Sequence, residues 1–487
     1  MPTSFVFWLL LLTATLSAQK LPAPPAPLCE FRGAWVATVD NIDWPSKPGL
    51  SSERAQQELA AIVDAAAAMR LNALVFQVRP SGDAFYASER EPWSEWLTGR
   101  QGQAPAPLWD PLSFLIERAH QRGLEVHAWF NPFRAKHESA NSSADRAHVT
   151  RRLPAACVSY DKQTWMDPGD ARAVDWSLAV IADVVRRYDI DGVHLDDYFY
   201  PYPVKDLPFP DDVSFARYRK GGGKLGRSDW RRQNIDTLVA RLADETHAQK
   251  PFVKVGISPF GIARPGVPSG IKAGIDQYDQ LYANVVGWLQ GGHVDYLAPQ
   301  LYWPIDQKPQ SFAVLLPWWN GQNTKNRHVW PGLNASKALQ AKRPWREDEL
   351  VQQVDMIRQQ GASPGHVHFS WKAIKPGTTL HRQLMAETYG EAAPVPASPW
   401  LGNAPRPAIP ELTIEATGNG HRAIVQVDAN ARFYVVQVLR GTRWRTLCVR
   451  GRQTTAVALP ADVRAVAVRG IAANGLFGEW RGLPMTP

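Results

Sequence analysis

The chain has 487 residues, 45% hydrophobic and 21% charged, which excludes a disordered protein or one small domain and suits a large barrel with an added module. Three scattered cysteines, Cys29, Cys157 and Cys448, build neither a disulfide framework nor a zinc ribbon. The formal charge of +8 is uneven: residues 401–487 hold eleven arginines, no lysine and five acids, so the basic character belongs mainly to the tail.

The first element is a targeting segment. Residues 5–12 form a short apolar core and Leu16-Ser17-Ala18 offers small residues for cleavage, giving a signal peptide over 1–18 that is too short to span a membrane. A Pro-rich leader follows over 19–30. The chain is therefore expected in the periplasm or cell envelope of a bacterium, with no transmembrane segment after cleavage. Nucleic acid is excluded as a partner there. Anionic wall surfaces are available to the basic tail for weak attachment, although a basic surface also serves solubility alone.

Between residues 31 and 390, eight strand-like runs alternate with amphipathic helical stretches. The runs are 32–39, 73–80, 125–132, 192–198, 253–260, 294–302, 328–335 and 366–372. The helices fall near 52–69, 110–122, 170–188, 230–248, 278–290, 309–320, 346–360 and 378–388. Several start at caps or breakers, such as Asp110-Pro111 and Asp167-Pro168-Gly169-Asp170. Eight strand–helix units predict an α/β fold closed as a (β/α)₈ TIM barrel. Residues 391–410 are rich in proline and lack hydrophobic periodicity, which predicts a linker. From 411 to 487 six short alternating strands separated by turns predict a small all-β sandwich of the fibronectin type III kind.

Side-chain alternation sorts each strand into two faces. With Leu74, Phe76 and Val78 outward, Gln77 and Arg79 point into the barrel; with Val126, Ala128 and Phe130 outward, His127, Trp129 and Asn131 do. The fourth strand offers His194 and Asp196, the fifth Lys254 and Ser258, the sixth Gln300 and Tyr302, the seventh Asn334, and the eighth His368, Ser370 and Lys372. Barrel interiors are ordinarily layered with branched apolar residues. Amides, imidazoles and aromatics suit instead a hydroxyl-rich ligand, and twenty tryptophans are consistent with sugar-stacking platforms, though most must fill the core.

Glycosidic cleavage ordinarily needs two carboxyl groups. Asp196 points inward at a strand end and is the first choice. Asp197 either turns into the site once the strand breaks or caps the following loop. On a strand the two should diverge, so the second acid is expected from another loop: Asp83, within about 10 Å of Asp196, ahead of Glu91 and of Asp306. Other chemistries lack their signatures. The first strand carries no His-x-His, no glycine loop follows a strand to cradle phosphate, and no Gly-x-Ser-x-Gly elbow occurs. No cofactor or metal ion is implied.

Phe31-Arg32-Gly33-Ala34-Trp35-Val36, Gln77-Val78-Arg79-Pro80-Ser81-Gly82-Asp83, Trp129-Phe130-Asn131-Pro132 and residues 191–201 resemble the glycosyl-hydrolase-like family 10 of bacterial envelope proteins. Residues 256–261 and 295–303 continue the resemblance, which covers most of 30–390. It implies a (β/α)₈ hydrolase that cleaves peptidoglycan glycan strands stripped of stem peptides. The fourth strand is also similar to the alpha-amylase family, with His194 and Asp196 at the positions of an inward arginine and the nucleophilic aspartate. It departs from the chitinase pattern, which has a catalytic Glu where Tyr198 stands, and this argues against chitinase-type, substrate-assisted chemistry.

The expectation is an exported glycoside hydrolase of a cell-wall glycan with Asp196, Asp197 and Asp83 as catalytic carboxyls. Its polysaccharide substrate would contact Arg79, Trp129, Asn131, His194, Tyr198, Gln300, Tyr302, Trp303 and Asn334. The alternatives are a non-catalytic glycan-binding protein and a hydrolase of another polysaccharide such as an α-glucan.

Overall fold

The computed structural model describes residues 22–338, 345–361, 364–418 and 420–485, so the signal peptide expected over 1–18 lies outside the described residues. All eight expected strand runs form parallel strands: β1 (Phe31–Val36), β2 (Ala73–Arg79), β3 (Glu125–Phe130), β4 (Gly192–Leu195), β5 (Lys254–Ile257), β6 (Tyr296–Leu297), β7 (His328–Val329 and Gly332–Leu333) and β8 (Gly365–His368). Each neighbour pairs in order, and Arg32 of β1 faces His366 of β8, which closes the barrel. β7 is split at Trp330-Pro331 because proline has no N–H for the ladder. Its first piece pairs with β6 and its second with β8, so closure survives the break.

The outward faces read as expected. Leu74, Phe76, Val78, Val126, Phe130, Val193 and Leu195 are fully buried between strands and helices. The helices Ser52–Ala68, Pro111–Gln121 and Ala171–Arg187 start at Ser51, Asp110 and Asp170, whose side chains accept the free first-turn N–H groups. The helix expected near 278–290 is instead two short ones, Gln277–Gln280 and Val285–Gly291. Among the described residues no helix is long and apolar enough to cross a membrane.

Seven strands follow in two antiparallel sheets: β9 (Glu411–Thr417), β10 (Gly420–Gln426), β11 (Ala431–Arg440), β12 (Arg443–Gly451), β13 (Ala456–Leu459), β14 (Val463–Ala472) and β15 (Phe477–Pro484). The orders are β9-β10-β13 and β12-β11-β14-β15, and Val425, Tyr434, Val436, Val457 and Val466 share one core between them. β15 was not expected, since its glycines and charges break the alternation.

The segment 391–410 is not the loose tether its composition suggests. It straps across the N-terminal end of the barrel. Pro394 O accepts from Glu30 N at 3.0 Å, Ala393 O from Asn72 Nδ2 at 2.8 Å, and Trp400 Nε1 donates to Asp295 at 2.8 Å. The sandwich is seated on the same end. Gly123 at φ +79° lies so close to it that a Cβ there would meet Val449 O at 2.4 Å. Arg432 reaches under β4 and donates to Asp191 at 2.8 Å, while Asp191 also holds His120 and the Val126 N–H. Burial alone would raise the Asp191 pKa, but Arg432 and His120 hold it well below the usual carboxylate range.

A buried pair broken from one side leaves an uncompensated charge, so Arg432→Met is expected to cost about 3–5 kcal/mol in chemical denaturation. The Asp191 share of stability is present above the ordinary carboxylate pKa of about 4 and is lost as pH falls below it. Wild type should therefore lose more stability on acidification than Arg432→Met. A variant as stable as wild type at pH 7 would show the sandwich to be an independent appendage.

Candidate active site

β4 delivers the site. Val193 and Leu195 face the helices, and the strand ends at Leu195, where strict alternation ends with it. The chain then turns over the barrel mouth, so Asp196 and Asp197 both enter one cleft at the C-terminal ends of the strands. The expected divergence of the two side chains is thus corrected: the strand stops one residue too early for it. Trp35, Trp129, Tyr198, Tyr202, Tyr302 and Phe369 provide aromatic walls, and Gln77, Arg134, His137, Ser258 and Gln300 provide polar groups.

Asn131 ties this cleft together, although it is itself sealed beneath the surface. Its Oδ1 accepts from Arg134 Nη2 at 2.9 Å and from Gln77 Nε2 at 2.7 Å. A guanidinium only donates, which fixes the amide orientation. The Asn131 Nδ2 is thereby turned to Asp196 Oδ2 at 3.3 Å and to the Tyr198 hydroxyl at 3.1 Å. The other Asp196 oxygen accepts from the Asp197 N–H at 2.9 Å. Tyr202 donates its hydroxyl to Asp197. Burial, and then the adjacent Asp196, push the Asp197 pKa well above the usual range and so favour its protonated form.

Beneath the cleft lies a buried hydrogen-bonded chain. The Trp35 indole donates to His194 Nε2 at 3.1 Å, so the neutral His194 ring carries its proton on Nδ1, toward the Tyr296 hydroxyl at 2.9 Å. Tyr296 is in turn 2.7 Å from His127 Nδ1, His127 Nε2 is 3.0 Å from Glu125, and Glu125 pairs with Lys254 at 2.9 Å. Burial, and next His127, hold the His194 pKa well below its ordinary value. His194 therefore sets the Trp35 ring and does not line the cleft as a sugar contact.

Of the other expected site residues, Trp129, Tyr198, Gln300 and Tyr302 do line the cleft. Arg79 does not: its guanidinium is fully buried, held by both Glu91 oxygens at 2.8 and 2.6 Å and by the Pro132 carbonyl. Glu91 is spent on the same pair and on the Trp176 indole. Asp83 lies outside the Asp196 cleft, accepting from Ser81 N at 3.1 Å beside a separate cavity shared with Glu95 and His148. Burial pushes Asp83 up to about 7. Trp303 packs edge-on against Phe260 with ring centroids 5.7 Å apart, and Asn334 accepts from Lys337 N at the start of a short helix. Neither lines the cleft. Asp306 is a surface residue beside Arg346.

Trp35, Arg134, His137, Tyr202 and Phe369 were missed. Trp35 shares a face with Gly33 and Ala37, so parity could have found it, but no polar neighbour marked that face. A Cβ at Gly332 would lie 2.8 Å from the Trp35 ring, so glycine there makes room for the platform.

A family model described as glycosyl hydrolase-like 10 matches residues 30–351. The chain is 40% identical over 443 residues to the glycosyl hydrolase YngK of Bacillus subtilis, across 87% of this chain and 86% of that one. It is 35% identical over 309 residues to the glycosyl hydrolase DigH of Escherichia coli K12, across 59% and 69% respectively. Among solved structures, the PgaB (BpsB) glycoside hydrolase domain from Bordetella bronchiseptica is similar at a TM-score of 0.48 and 15% identity, over 74% of this chain and 98% of that one.

The Tyr202 hydroxyl stabilises the charged form of Asp197 and so lowers its pKa. Tyr202→Phe is expected to let Asp197 keep its proton to higher pH, moving the alkaline limb of kcat/KM upward by about 1. A limb that stays in place or moves down would show that Asp197 does not govern it.

Proposed function

The chain belongs to the glycosyl hydrolase-like 10 family and is a glycosyl hydrolase, and from that premise we propose that it is exported and cleaves peptidoglycan glycan strands lacking stem peptides. The observation that carries this reading is the pair of carboxyls, Asp196 and Asp197, set side by side in an aromatic-walled cleft at the C-terminal mouth of the barrel. Catalytic groups of such barrels sit at that mouth. Asp197, with its raised pKa, is the general acid that protonates the leaving glycosidic oxygen, and Asp196 is the partner carboxylate. Tyr198, Trp129 and Tyr302 supply stacking faces, while Gln300 and Arg134 are positioned to meet sugar hydroxyls. The apolar leader at 5–12 with small residues before position 19 supports export. The arginine surplus of 401–487 supports weak adhesion to an anionic wall, on the barrel end opposite the cleft.

The test is release of new reducing ends from denuded peptidoglycan strands, measured beside a panel of α-glucans and other polysaccharides. Asp196→Asn and Asp197→Asn should each lower turnover on the strands by about 10²–10⁴-fold, with unfolding curves close to wild type. A folded variant at near-normal turnover would remove that residue from the chemistry. Hydrolysis of an α-glucan and not of the strands would replace the substrate. Binding without new reducing ends would make the cleft a carbohydrate-binding site.

A further inference from the structure

Two-carboxylate mechanisms place their acids on opposite sides of the scissile bond, about 5–5.5 Å apart for retention and 6.5–9.5 Å for inversion. Asp196 and Asp197 are successive residues, joined by an N–H to Oδ1 contact of 2.9 Å, and they are the only carboxyl groups lining the cleft among the described residues. Asp83 and Glu91, which sequence reasoning offered as the opposing acid, lie outside it, each with its own partners. Side by side, the pair can serve one flank of a sugar and cannot bracket it. Among the described residues no further carboxyl group lines the cleft to act as nucleophile or base on the other face.

A sugar that carries a 2-acetamido group brings its own nucleophile, the amide carbonyl oxygen, to that face of C1. Resting on the reading of the substrate as wall glycan, whose sugars bear this group, we propose that cleavage is substrate-assisted and that the cleft is built around a 2-acetamido group held by Asp196. Asp196 offers its oxygens to the acetamide N–H. Trp129 lines the same cleft, and its buried indole N–H has no hydrogen-bond partner among the described residues, so it is a spare donor for the acetamide carbonyl or a neighbouring hydroxyl. Trp35, Ala37 and Phe369 give an apolar wall for the methyl group.

The first step breaks the C1–O bond to the leaving sugar and forms a bond from the acetamide oxygen to C1. The Asp197 carboxyl proton passes to the leaving oxygen, and Asp196 balances the cationic oxazolinium ring. In the second step a water attacks C1 and gives its proton to the Asp197 carboxylate. The ring opens, the acetamide is restored, and the configuration at C1 is retained. Tyr198 in place of the chitinase glutamate argued against substrate-assisted chemistry, but that departure removes only the acid from its usual position, and Asp197 supplies an acid one residue earlier in the same cleft.

The experiment uses the full-length protein in three readings. Denuded strands that keep their N-acetyl groups should be cut at least about 100-fold faster than chemically N-deacetylated strands of the same length. Proton NMR of the first product formed should show the retained anomer. N-acetylglucosamine-thiazoline, a stable analogue of the oxazoline, should bind by calorimetry and lose about tenfold or more in affinity in Asp196→Asn. Inversion at C1, equal cutting of deacetylated strands, or no thiazoline binding would each overturn the proposal. Asp40, exposed between the cleft residues Val39 and Ile42, is the nearest rival base; an Asp40→Asn loss as large as that of Asp196→Asn would overturn it too. If the strands are not cut yet the thiazoline binds, the substrate reading fails and the acetamido site stands.

Discussion

Two buried carboxyl groups on successive residues disfavour each other's ionisation, and here that raises the Asp197 pKa well above the usual range. Much of the cleft is arranged around that constraint. Burial and the neighbouring Asp196 favour the protonated form of Asp197, while Asn131 and the Asp197 N–H supply Asp196 with donors. Asn131 can donate in that direction only because Arg134 and Gln77 occupy its oxygen. Arg134 also donates to the Tyr198 hydroxyl at 3.0 Å, so one guanidinium orders an aromatic wall and the amide beneath the carboxylate.

The two ends of the barrel divide the work. At the N-terminal end Arg432, Asp191, Glu30, Arg32 and Arg358 form ion pairs that fasten the sandwich and the 391–410 strap beneath the strands. The C-terminal end carries the cleft with Asp196 and Asp197, the end at which such barrels generally place their chemistry. Between them runs the chain from Lys254 and Glu125 through His127 and Tyr296 to His194, which replaces part of an apolar core with satisfied polar groups. Such a chain restricts rotamers because each member must meet two partners. Its upper end is the Trp35 platform.

The strand–helix rhythm of residues 31–390 made the barrel legible, and parity at strand ends found Asp196, Trp129, Gln300 and Tyr302 as cleft residues. Parity says which face a side chain takes, not how deep it lies. His194 and Asp196 share a face, yet His194 sits one layer lower and is sealed off by Trp35 and Ser258. Arg79 has inward parity too, but the register shift after Gln77 and the later Glu91 turn it into a buried pair. Glu91 is twelve residues downstream in a loop, beyond the reach of any local pattern. The strap at 391–410 was opaque for a related reason: its hydrogen bonds go to barrel residues more than a hundred positions away.

Cutting of glycan in the cleft above β4 by the Asp196–Asp197 pair requires that a substrate bind there. A crystal structure of Asp197→Asn with a denuded peptidoglycan fragment tests it most directly. The expected result is a sugar lying against Trp129 and Tyr302, with the scissile oxygen within about 3 Å of the residue 197 amide. A fragment bound in the cavity beside Asp83 and Glu95, or lying with its glycosidic oxygen away from both residues 196 and 197, would contradict it.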